Sequence, residues 1–163
     1  MILHYFKKKE NIEKKRAKTI YSAILKKSNI FLNNNSFFIN KNYNSSFEVV
    51  SIFLIIFINL NISNNYKNFK KINEYLISLL ISDLDESLRS KGIGDMSIGK
   101  YVKSYVKKFY FRLKKFPKNY NFKNTEDLND YMNIVYSLKE NKFIDLSIRI
   151  NEKYHEIKKS YLM

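Results

Sequence analysis

The 163 residues are 45% hydrophobic and 16% aromatic, enough for one packed domain and too apolar for wholesale disorder. Three glycines and one proline argue against a many-stranded sandwich or barrel, and the lack of cysteine excludes disulfides, thiolate zinc sites, iron–sulfur clusters and a cysteine nucleophile. The charge of +15 comes from 26 lysines and only four arginines; such Lys, Asn and Ile enrichment reads as AT-rich codon usage, but it still leaves a surface drawn to polyanions.

The predicted fold is all-α, a single domain over 1–163 with about six helices. The basic run Lys7–Lys9 is followed by no apolar core or small-residue cleavage site, so no secretory signal is expected. Ala17, Ile20, Tyr21, Ile24 and Leu25 then recur at three and four, predicting an amphipathic helix from about Glu10 to Ser28 with lysines outside. Residues 33–46 are Asn- and Ser-rich without helical period and read as a loop. The most apolar stretch, 47–62, meets Glu48, Ser51, Asn59 and Asn61 too soon for a membrane span of about 20 residues. A central buried helix is the better reading there; a buried strand and a membrane-associated segment are the alternatives.

A third helix begins near Tyr66, with Ile72, Leu76, Leu79, Leu80, Leu84 and Leu88 as its stripe and an i,i+4 pair of Asp85 with Arg89. Gly92 supplies the left-handed stop, and Asp95 or Ser97 is expected to cap the next helix. That helix carries Val102, Val106, Phe109, Leu113 and Phe116 on one stripe and stops at Pro117. A fifth, capped by Thr125, turns Leu128, Met132 and Val135 inward, and a sixth starts near Lys142.

Three motifs invite chemistry. Gly94 to Lys100 has the spacing of a phosphate-binding loop, but Tyr101 replaces the hydroxyl that would ligate magnesium and a helix rather than a strand precedes it. A helix–turn–helix joint is the plainer reading, with Gly99 allowing close packing. Asp83, Asp85 and Glu86 do not converge on one helical face, and His4 and His155 lie far apart, so no metal, cofactor or catalytic residue is expected. From Met96 to Thr125 there are nine basic residues and no acidic one, interleaved with aromatics. Lysine in place of arginine argues against sequence-specific nucleic-acid reading, while non-specific attraction to RNA or anionic lipid remains.

The segment 83–113, DLDESLRSKGIGDMSIGKYVKSYVKKFYFRL, resembles the central signature of the ubiquinol–cytochrome c chaperone family. The resemblance rests on Asp83, Asp85, Leu88, Arg89, Gly92, Gly94, Asp95, Gly99, Lys100, Lys103, Phe109, Tyr110 and Arg112 in order and spacing. It is strongest over 80–113 and extends from about 17 to 116, through AKTIYSAIL and the Phe47-Glu48 pair; Ser46 and Phe53 stand where the family has arginine and histidine.

The resemblance implies a helical, non-enzymatic assembly factor that binds newly made cytochrome b for the ubiquinol–cytochrome c reductase (respiratory complex III). It implies a small assembly partner and a place near the ribosome or an anionic membrane surface. The expected location is the bacterial cytoplasm or inner membrane face, or the matrix side in a mitochondrion. Asp83, Asp85, Arg89, Gly92, Gly94, Asp95, Gly99 and Lys100 are then the expected client- or partner-binding residues, and Lys103, Lys107, Lys108, Arg112 and Lys114 a basic docking face. A generic basic RNA- or ribosome-binding helical module is the alternative function.

Overall fold

The computed structural model describes residues 12–34, 43–63, 68–117 and 126–136, together with 152, 155 and 156. Five helices, α1 (Ile12–Asn34), α2 (Tyr43–Ser63), α3 (Phe69–Ser90), α4 (Asp95–Lys115) and α5 (Glu126–Tyr136), form one bundle, with no strand among the described residues. The Thr125 cap and the start at Tyr66 fall outside the described residues, as does the expected sixth helix apart from residues 152, 155 and 156. The side chains of Met132 and Val135 do so as well.

Helix α2 lies at the centre because it has no polar face to offer water. Every residue from Val49 to Ile58 is buried, Ser51 included. By length and composition Tyr43–Leu60 could cross a membrane, yet 72% of it is buried inside the fold, as in the core helix of a bundle. Ser51 hides its hydroxyl by donating to the Glu48 carbonyl at 2.9 Å, and Asn59 donates to the Ile55 carbonyl at 2.9 Å.

Around it, α1 packs on both α2 and α3, α3 on α4, and α4 on α2 and α5. The stripe of α1 is buried at Ala17, Ile20, Tyr21 and Ile24, and continues through Phe31 and Leu32. The helix therefore runs to Asn34, six residues past its expected end, and 43–46 already belong to α2; the 33–46 loop is shorter than its Asn-rich composition suggests. Low propensity at Asn33 and Asn34 is outweighed by the burial of Phe31 and Leu32 just before them. The α3 stripe is buried as expected, with Leu79 alone partly exposed.

The joint between α3 and α4 is the best-defined turn. Gly92 adopts φ +79°; its N–H donates to the Arg89 carbonyl (2.9 Å) and the Ile93 N–H to that of Leu88 (3.3 Å). These two bonds make a Schellman termination, which needs a left-handed residue where glycine costs least. Helix α4 begins from Gly94, extended at φ −67° and ψ 151°, whose carbonyl accepts from Ser97 and Ile98. Neither Asp95 nor Ser97 caps by its side chain; Asp95 instead sits in the first turn, where its charge suits the positive helix end.

Gly99 is not a close-packing residue either. A Cβ built there meets nothing within 4 Å. Gly99→Ala is therefore expected to stabilise the fold by about 0.5–1 kcal/mol, the usual cost of glycine inside a helix, read as a higher urea midpoint at unchanged slope.

Candidate functional site

The exposed face of the elbow is organised by one arginine. Arg89 Nε donates to Asp85 Oδ2 at 2.7 Å, one turn back on α3, and its Nη1 pairs with Asp95 Oδ1 on α4. The guanidinium thus ties the end of one helix to the start of the next across Gly92–Gly94. These hydrogen bonds, first to Asp85 and then to Asp95, raise its pKa beyond the ordinary arginine value. Asp85, Arg89, Gly92, Gly94 and Asp95 share this surface, and Lys100 is exposed one turn along α4. Met96 stands fully in solvent beside them and Tyr101 is half exposed; neither was marked by periodicity, because both fall on the polar side of α4.

Asp83 belongs elsewhere. It accepts from the Tyr21 hydroxyl of α1 at 2.9 Å and lines a cavity between α2 and α3, away from the arginine clamp. Asp83 and Asp85 accordingly do not converge, and no cluster of His, Cys, Asp or Glu suited to a metal occurs among the described residues.

Burial, and then the Asp83 charge, push the Tyr21 hydroxyl well above its ordinary value. Because the folded state keeps this proton after the unfolded chain has lost it, stability is full below about pH 10 and falls as pH rises further, by up to about 1.4 kcal/mol per pH unit. Tyr21→Phe is expected to flatten that alkaline slope, measured as urea midpoints across the tyrosine range.

The basic face of α4 is Lys100, Lys103, Lys107, Lys114 and Lys115, all exposed, with half-exposed Phe111 in their midst and Tyr110 beside it. Lys108 is on its edge, tied to Glu48 Oε1 at 2.6 Å. Arg112 is not on it at all. Its side chain is 2% exposed, turned inward against α2, where it pairs with Glu48 Oε2 and donates to Ser51 Oγ at 3.1 Å. Its carbonyl accepts from the Tyr131 hydroxyl of α5 at 3.2 Å, and its guanidinium lies 5.7 Å from the Phe47 ring. On α4, Arg112 falls between Phe109 and Phe116, both buried, so helical geometry carries it into the seam. It locks three helices and is not free to dock anything.

Two fragments that sequence reading set apart therefore meet: Phe47-Glu48 opens the buried face of α2, and Arg112 reaches it from α4. A scan against protein-family models matches residues 35–134 to the family described as Ubiquinol-cytochrome C chaperone. The match takes in α2, α3, the elbow, α4 and much of α5; it extends past Phe116, the end of the resemblance described above, and leaves out α1. Neither the curated proteins nor the solved structures give a significant match. Since the matched residues are well over half of the chain and include both the clamped elbow and the Glu48–Arg112 lock, the chain belongs to the ubiquinol–cytochrome C chaperone family.

Proposed function

We propose that this chaperone binds newly made cytochrome b during assembly of the ubiquinol–cytochrome c reductase and performs no chemistry of its own. The family match across the elbow carries the reading. Its geometry supports it: the Asp85–Arg89–Asp95 clamp fixes two helix ends, so that Met96 and the adjoining backbone form a rigid surface beside the charged residues. A preorganised surface loses little entropy on binding. A thioether standing wholly in water offers an adaptable apolar contact to a client.

Arg89→Ala and Asp95→Ala change exposed side chains, so far-UV circular dichroism should remain as in the wild type while cytochrome b accumulation in the cell falls. Normal cytochrome b levels in both variants would overturn the reading. Gly99→Ala sharpens the test, since a variant that gains stability yet loses the client marks a contact surface and not a folding defect.

The lysine face of α4 with Phe111 supports a second reading, a module that binds RNA or the ribosome without sequence preference. A steep log–log salt dependence with no preference for ribosomes over bulk RNA would favour it.

A further inference from the structure

Two helical stripes face each other where α2 leaves α3: Tyr43, Ser46 and Phe47 on one, Asp83 and Leu84 on the other, with Leu25 of α1 closing the floor. They line a half-open cavity of about 240 Å³, against the roughly 150 Å³ that accommodates benzene in an apolar core. Besides Ser46 and Ser87, two polar side chains line it. The Asp83 carboxylate takes one hydrogen bond, from Tyr21, and among the described residues has no cation within ion-pair distance. The Tyr43 hydroxyl is buried with no hydrogen-bond partner among the described residues.

This arrangement differs from that of Glu48, also sheltered, and of the more exposed Asp85. Glu48 is held by both Lys108 and Arg112, and Asp85 by Arg89. In a chain with twice as many basic as acidic residues, a partly buried carboxylate at the mouth of an apolar cavity without a cation is an open electrostatic position. Lys91 does not fill it, since its ammonium lies over the Tyr43 ring, 4.2 Å from the centroid.

We propose that this cavity is a binding site for a single organic cation on an apolar stem, an ammonium or guanidinium paired with Asp83 while the stem lies against Leu25, Phe47 and Leu84. The Tyr43 hydroxyl is placed to accept a second N–H of the same head. The chemistry is that of a free arylalkylamine and equally of a basic side chain flanked by apolar residues, and the site does not depend on which client the elbow serves.

The test titrates the full-length chain with phenethylammonium, with neutral 2-phenylethanol, and with an apolar peptide carrying one lysine or norleucine in its place. Nuclear magnetic resonance shifts or calorimetry report binding. Saturable binding of a cationic probe is expected, weakened about ten- to a hundredfold in the neutral analogue and in Asp83→Asn, as befits one lost charged hydrogen bond. Ser46→Arg, a change at an exposed rim position, should abolish binding by placing the chain's own guanidinium in the cavity, and Lys14→Gln on α1 should leave it unchanged. Binding of the free amine alone identifies a small-molecule ligand, and binding of the lysine peptide alone a polypeptide side chain; either supports the site. If neither cation saturates, or if Asp83→Asn and the neutral probe bind equally well, the cavity holds solvent only and the proposal is overturned.

Discussion

Replacing Arg112 by alanine is expected to destabilise the protein by about 3–5 kcal/mol, the cost of leaving a buried carboxylate without its cation. Glu48, with 16% of its side chain exposed, would lose its main partner, and Ser51 would lose its donor. Lys108 would remain as a half-exposed substitute, which offsets little because exposed pairs contribute only about 0–1 kcal/mol. The measurement is urea unfolding followed by circular dichroism, with a matching fall in Tm of about 2–4 °C per kcal/mol. The double variant Glu48→Leu/Arg112→Met should recover much of the loss, since well-packed apolar residues can replace a buried ion pair at little cost. If Arg112→Ala were nearly neutral while RNA or membrane binding collapsed, the arginine would be a docking residue after all.

The second large effect is expected at Leu54, which is 0% exposed at the middle of α2. Leu54→Ala should cost about 2–5 kcal/mol, made up of lost transfer free energy and the cavity left behind. Ile62, 52% exposed near the end of the same helix, should give less than about 0.5 kcal/mol on the same change. A contrast of that size along one helix separates a core element from a lipid-facing one. Equal, small effects at both positions would mean that α2 is not packed inside the bundle in solution.

The helices were legible because their signals are local. Apolar spacing fixed the faces of α1, α3 and α4, Gly92 marked a stop that its positive φ bears out, and Pro117 follows the last turn of α4. The Asp85–Arg89 pair could be read from its spacing of four. What composition obscured was decided by packing across the sequence. Asn33 and Asn34 looked like loop until Phe31 and Leu32 were seen to be buried. Arg112 looked like one more cation in a basic segment. Its partner, Glu48, lies 64 positions away, and no local pattern records that separation. Likewise Asp83 was grouped with Asp85 by proximity in sequence, although one turns to Tyr21 and the other to Arg89. Helical position did hint at Arg112, since it lies one turn from Phe109 and from Phe116; a charge inside an apolar stripe is the sign of an internal partner.

The all-round greasiness of α2 has a consequence for how the molecule comes into being. During synthesis this segment emerges before α3 and α4, which pack against it, have been made. In that interval the nascent polypeptide displays a stretch suited to lipid by length and composition. Sheltering therefore has to be completed by the later helices faster than a bilayer or a sticky neighbour can capture it.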